Sequence, residues 1–264
     1  MKWLFFSLLV FPFFVMGQEG AELCAKGKQS KSFLNRNYRQ TTDYLAGDQN
    51  IDALHYGLKI DVQDFANKQI KGILNARFKS TVNGLQTIFL NLNNSMVVDS
   101  IKSDYTIGSF SHFENKINIS FLNKIELNKT FELIIYYHGN PSTSGFGSFE
   151  FGSHGNNIPA IWSLSEPFGA PDWWPCKDDL SDKVDSSDVW IICPNDLIAA
   201  SNGLLQLVEE NDENSKIYHW KNRYSIAHYL ISIAVSDYQL FEEKWKYEGY
   251  DSMPIMNFIY PENF

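Results

Sequence analysis

The residues with a capacity for chemistry are few, and their spacing narrows what that chemistry can be. Histidines stand at His55, His112, His138, His154, His219 and His228. Neutral imidazole is the commonest zinc ligand, but none of the six is followed by another at i+4, so the sequence holds no H-E-x-x-H helix. Cys24, Cys176 and Cys193 form no C-x-x-C pair and have no adjacent histidine, which argues against a zinc ribbon and a locally activated thiol nucleophile. There is no G-x-S-x-G elbow, and Gly145-Phe146-Gly147 is too isolated to cradle a phosphate. The strongest local signal is the segment Trp162-Ser163-Leu164-Ser165-Glu166-Pro167. A loop glutamate is ordinarily solvated, so Glu166 acquires a role only through what the fold does with that loop.

The segment lies in a longer irregular stretch, residues 139–180, rich in glycine and proline, with Phe146, Phe149, Phe151 and Trp162 ahead of Trp173-Trp174. Long stretches without periodicity are usually functional loops on a rigid scaffold. The scaffold is legible on either side. Leu54, Tyr56, Leu58, Ile60 and Val62 recur at every second position, the period of a strand with one face inward. A turn at residues 64–68 leads into Ile70 to Val82, where Leu74, Ala76, Phe78 and Val82 alternate with polar residues and predict the second arm of an antiparallel hairpin. The same pattern predicts strands at 87–92, 96–101, 116–122, 131–138, 187–193, 199–209, 216–220 and 228–243. Asn83-Gly84, Asn93-Asn94, Asn123-Lys124 and Asn202-Gly203 supply turns. Helical periodicity is almost absent, so the expected fold is all-β, a mainly antiparallel multi-strand sandwich or saddle.

The 264 residues are 44% hydrophobic and 15% aromatic, enough to bury a core. Lys and Arg number 22 against 31 Asp and Glu, a formal net charge of −9 with no basic cluster, which argues against a nucleic-acid partner. Three cysteines are too few for a disulfide scaffold; Cys176 and Cys193 are either bridged or two buried thiols. Residues 1–17 read as a signal peptide, with Lys2 ahead of the apolar run from Trp3 to Met16 and cleavage after Gly17. That run is shorter than the ~20 residues of a bilayer span and is broken by Pro12, so no membrane span is expected after cleavage. The expected location is periplasmic or extracellular, with residues 18–50 as a polar linker.

Several segments, taken in order with Glu166-Pro167, carry a family pattern. They are Trp174-Pro175-Cys176-Lys177-Asp178, the run from Pro194 through Leu197, Ala199 and Ser201 to Asn202-Gly203, His219-Trp220, and the run from Tyr229 to Tyr238. Each is weak alone. The ordered set, over about Leu54 to Tyr260, resembles the amino-terminal β domain of the aminopeptidase N / leukotriene hydrolase family of zinc metallopeptidases. The resemblance implies a saddle-shaped β domain over residues 51–250, with 251–264 starting the connection to a catalytic domain. In that family the catalytic domain supplies a G-x-M-E-N segment and the H-E-x-x-H zinc helix, and neither motif occurs in these residues. The implied function is that of the amino-terminal domain of an exported zinc-dependent aminopeptidase, truncated before its zinc site and inactive alone. Zinc would belong to the full-length protein, with none expected to bind this chain; the implied partners are a peptide substrate and the missing catalytic domain.

Glu166 takes its role from the same resemblance. An exopeptidase recognises a free α-amino group, largely cationic at neutral pH, and a fixed carboxylate offsets part of its desolvation. The family's glutamine two residues earlier is Leu164 here, which can neither donate nor accept a hydrogen bond, and its Glu-Pro after the aspartate reads Asp179-Leu180. Trp173, Trp174 and Cys176 are expected to pack the loop on the sheet, and Asp178 to cap the turn from Asp179 to Val184. The alternative is a secreted β-sandwich binding module for peptides or glycans that uses the aromatic loop 146–174 as its contact surface. That reading requires the rings to be uncovered.

Overall fold

A computed structural model describes residues 47–143, 147–246 and 252–264. The expected signal peptide and nearly all of the expected linker lie outside them. The described residues belong to one unit, Leu45–Phe264.

Seven strands come first, joined mostly by short turns: β1 (Ile51–Asp64), β2 (Gln69–Ser80), β3 (Leu85–Asn91), β4 (Met96–Ser103), β5 (Ile107–Phe113), β6 (Lys116–Ile125) and β7 (Thr130–Gly139). A hairpin of β8 (Phe149–His154) and β9 (Ile158–Ser163) comes after them. Next are β10 (Lys183–Val184), β11 (Ser186–Pro194), β12 (Ile198–Ser201), β13 (Leu204–Asp212) and β14 (Ser215–Asn222). The last are β15 (Ile226–Ala227), β16 (Ile233–Ser236), β17 (Gln239–Trp245) and β18 (Met253–Ile259).

The largest sheet has the order β13-β14-β11-β1-β2-β7-β4; β3-β6-β5 and β12-β16-β9-β8 form two smaller ones. The pairings are antiparallel except for β1 with β11, which run parallel from His55 opposite Ser186 to Asp61 opposite Ile192. The fold is thus all-β and mainly antiparallel, as the alternation predicts. The large sheet turns Leu58, Ile60, Leu74, Phe78, Leu133 and Ile135 inward, and the smaller sheets cover them. Phe131 on β7 sits 5.7 Å from the ring of Phe78 on β2 and 5.5 Å from that of Phe121 on β6, joining two layers. Trp220 Nε1 donates to the Ala199 carbonyl at 3.0 Å, seating β14 against β12.

The structure departs from the periodicity where backbone irregularity intervenes. Leu54 is only half-buried, because a register shift between Ala53 and His55 changes the phase: Ile51 and Ala53 are buried before it, Tyr56 and Leu58 after it. β2 ends at Ser80, leaving Val82 in the bend beyond. The run 199–209 is two strands in two sheets, divided at Gly203, whose φ of +91° and 2.2 Å clearance from Lys221 O to an added Cβ leave no room for a side chain. The run 228–243 comprises a 3-10 turn at His228–Leu230, then β16 and β17. The stretch 139–180 holds the β8–β9 hairpin. β5, largely exposed and without apolar alternation, has no signature in the sequence.

Candidate functional site

The turn that carries Glu166 is held in place by the two tryptophans C-terminal to it. Trp173 and Trp174 are fully buried, the first with its ring 5.3 Å from Phe149 and the second 5.0 Å from Tyr56. Burying each indole contributes on the order of 3 kcal/mol, which anchors the segment to β8 and β1. Trp173 Nε1 donates to Ser165 Oγ at 2.9 Å, and the Ser165 carbonyl accepts the Gly169 N–H at 2.7 Å, closing the turn over Glu166-Pro167-Phe168. The Leu164 N–H donates to Ser148 O at 3.2 Å, and Ser148 Oγ donates to the Asp172 carboxylate. Asn93 Nδ2 also donates to Asp172 Oδ1, at 3.2 Å. Gly169 is required for close approach: a Cβ there would lie 2.5 Å from Ser148 Oγ and 3.0 Å from Ser165 Cα.

On this base Glu166 is exposed, between buried Ser165 and half-buried Pro167, and the Glu166–Pro167 peptide bond is cis. Among the described residues, no hydrogen bond or ion pair occupies its carboxylate. Exposure alternates through the segment, with Trp162 and Leu164 exposed ahead of Glu166, and Ile161 and Ser165 buried. An acceptor with spare capacity on a braced turn, beside two apolar side chains, can hold a cationic group attached to an apolar one.

Beyond the tryptophans the strand-like run is stitched to the core. Cys176 exchanges backbone hydrogen bonds with Asn91, at 2.7 and 3.1 Å. Lys177, only 5% exposed, donates from Nζ to Asp182 Oδ2 at 2.6 Å and to the Ile51 carbonyl at 2.7 Å, while its N–H reaches Tyr56 Oη at 3.1 Å. The expected cap falls on a different residue. Asp178 Oδ1 lies 2.9 Å from His228 Nε2, and it is Asp179 Oδ1 that accepts from Ser181 N–H at 2.9 Å and Ser181 Oγ at 2.7 Å. The i-to-i+2 geometry of an Asx turn suits the residue that starts the turn.

Cys176 and Cys193 are buried free thiols. Burial pushes Cys176 well up, with the charges of Asp178 and Asp172 adding to it, and burial pushes Cys193 up to about 12. Neither supplies a thiolate near neutral pH. Among the described residues, no three His, Cys, Asp or Glu side chains converge to hold a metal ion. Nor is the aromatic loop an open platform. Phe149, Trp173 and Trp174 are buried, Phe151 is half-buried against Phe65 and Phe149, and Trp162 is 38% exposed. Phe146 lies outside the described residues.

A family model described as the Peptidase M1 N-terminal domain matches residues 52–230. The chain belongs to the M1 peptidase family. Solved M1 structures have the same fold. The M1 zinc metallopeptidase of Deinococcus radiodurans aligns with a TM-score of 0.67 at 20% identity, over 80% of this chain and 48% of that one. A mutant of it bound to a Tyr-Ser-Ala substrate aligns with the same score and identity over 81% and 48%. A mutant two-domain M1 zinc metallopeptidase bound to L-arginine aligns with a TM-score of 0.68 at 21% identity, again over 81% and 48%. The chain thus spans about half the length of these solved M1 relatives. No curated protein sequence matches it.

The web of Ser148, Ser165, Asp172 and Asn93 that braces the M1 turn was not visible in the sequence. Its members are ordinary polar residues brought together over separations of 24 and 79 positions, with no local motif to mark them.

Proposed function

We propose that this chain is the substrate-amine-binding amino-terminal portion of an exported zinc-dependent aminopeptidase, with Glu166 accepting the α-ammonium of a peptide. The observation that carries the reading is an exposed, unengaged carboxylate on a turn whose preceding residue, Ser165, accepts a hydrogen bond from the buried Trp173 indole. A free ammonium offers three donors, and a pre-positioned carboxylate meets them with little ordering cost. One solved relative holds a Tyr-Ser-Ala substrate, and short peptides are the proposed substrate class. Zinc and the residues that ligate it would come from sequence outside these 264 residues, so the chain by itself would not hydrolyse aminoacyl bonds. The signal-like residues 1–17 support a periplasmic or extracellular location.

The β17–β18 ribbon is consistent with a domain that docks on another. It exposes Phe241, Met253 and Ile255, and a two-stranded ribbon is marginally stable by itself.

The test is to read the coding DNA past codon 264 and assay the encoded protein. The expected frame continues into G-x-M-E-N and H-E-x-x-H. In that protein Glu166→Gln should raise KM for an aminoacyl anilide by about tenfold or more, the loss of a charge-assisted bond of about 1.5–3 kcal/mol. A stop codon there, or an unchanged KM, would overturn the proposal.

A further inference from the structure

His154, the last residue of β8, is held at both ring nitrogens. Nδ1 lies 2.9 Å from Glu262 Oε1, and Nε2 lies 2.9 Å from Asp237 Oδ1 and 3.0 Å from Ser236 Oγ. The Ser236 hydroxyl donates to the Pro159 carbonyl at 2.8 Å, so it turns a lone pair, not a proton, towards Nε2. Both nitrogens therefore face acceptors. A neutral imidazole carries one N–H and would leave its other nitrogen's lone pair against a carboxylate; only the imidazolium satisfies both sides. The ring also stacks on Tyr260, with centroids 3.9 Å apart, and Tyr260 stacks on Tyr238 at 5.2 Å.

These partners come from separate elements. Glu262 belongs to the 3-10 turn Pro261–Asn263 after β18, Tyr260 follows β18 and caps that turn, Asp237 and Tyr238 join β16 to β17, and Ser236 ends β16. His154 ends the first arm of the hairpin whose second arm, β9, runs into the Glu166 turn. We propose that His154 is a positioning residue: its imidazolium ties the β17–β18 ribbon to the hairpin that leads into the Glu166 turn, and deprotonation releases that tie. The charged groups facing the ring are Glu262 and Asp237, with Tyr260 and Tyr238 as neutral rings behind it; no Lys or Arg among the described residues acts on it. Consistent with this, the hydrogen bond to Glu262 first, and then the charges of Glu262 and Asp237, raise the His154 pKa above its ordinary value in spite of desolvation. Because the folded-state pKa is raised, the tie is complete below about pH 6.5 and is lost as pH rises through the raised value. This inference does not rest on any role of Glu166.

The test is amide exchange of peptides covering residues 252–264 in the 264-residue chain, compared with His154→Gln at each pH so that intrinsic exchange rates cancel. At about pH 5.5 the wild-type segment should exchange about threefold to tenfold more slowly than the variant, and at about pH 9 the two should converge. Glu262→Gln, which keeps the ring, should lose most of that protection at low pH. His138→Gln, which removes a histidine paired with Asp99 on a distant strand pair, should change nothing in this segment. A wild-type to His154→Gln ratio that is the same at both pH values would overturn the proposal, and so would full protection in Glu262→Gln. Protection of β1 and β2 amides in each variant verifies that the fold is intact, and the Glu262→Gln comparison decides the matter if His154→Gln unfolds.

Discussion

Trp173 Nε1 donates to Ser165 Oγ across 2.9 Å, so an indole with no solvent exposure fixes the residue beside Glu166. Trp173→Phe keeps an aromatic ring and removes the donor. The expected cost is about 1–3 kcal/mol in urea unfolding, with faster amide exchange over residues 164–169. Unchanged stability together with unchanged exchange would show that the indole does not set the turn.

Gly169 tests the same turn from its other end. Its φ is an ordinary −91°, so the constraint is space and not handedness. Gly169→Ala is expected to cost about 1–3 kcal/mol by overpacking against Ser148 and Ser165. Adding Ser148→Gly should recover part of that loss, because it removes the Oγ nearest the new methyl, although it also loses the bond to Asp172. A double variant no better than the sum of the single ones would place the clash elsewhere.

The buried lysine predicts acid sensitivity. Burial pushes the Asp179 carboxyl up, but hydrogen bonds from Ser181 and Gln49 and the charge of Lys177 outweigh it and hold the group below the usual carboxylate range. Its contribution is therefore present above about pH 4 and is lost as pH falls through the depressed value. Asp179→Asn should flatten that limb of a stability-against-pH curve. Lys177→Ala, which strands Asp182 as well, should cost about 3–5 kcal/mol at neutral pH. A loss under about 1 kcal/mol, roughly that of a surface pair, would contradict the burial of Lys177.

His55 predicts a second dependence near neutrality. Burial depresses its pKa; Asp188 opposes this, and Arg77 and Lys221 add to it. A base with a depressed folded-state pKa stabilises the fold above its unfolded pKa, so this contribution declines as pH falls below about 6.5. His154 acts with the opposite sign, its contribution declining as pH rises. His55→Asn should make stability flatter between about pH 7.5 and 5.5, measured by urea midpoints, and an unaltered slope would count against the shift.

Alternation revealed most of the large sheet because its inward positions, such as Leu58, Ile60, Leu74 and Phe78, are filled by apolar residues at period two. Pattern reading faltered where a single backbone event redirects the chain, at the Ala53–His55 register shift and at Gly203, since neither alters composition. At the site, Glu166 and the paired tryptophans were visible as a motif. The groups that brace them were not, because Asn93, Ser148 and Asp172 meet only after β4, β8 and the 3-10 turn at Ala170–Asp172 have been brought together. Asp178 and Asp179 show a finer limit: adjacent aspartates have equal claim to a capping role until His228 takes one of them.

The parallel seam between β1 and β11 also sets the order of assembly. His55 meets Ser186 across 131 intervening steps of sequence, whereas β1, β2, β7 and β4 are all complete by Gly139. During synthesis, one half of the large sheet can form while the outer edge of β1 still awaits its neighbour. For that interval the nascent protein presents an unpaired strand with a largely apolar inner face, the kind of edge that recruits other chains. A delay in delivering residues 186–194 should therefore favour aggregation before it affects any property of the finished fold.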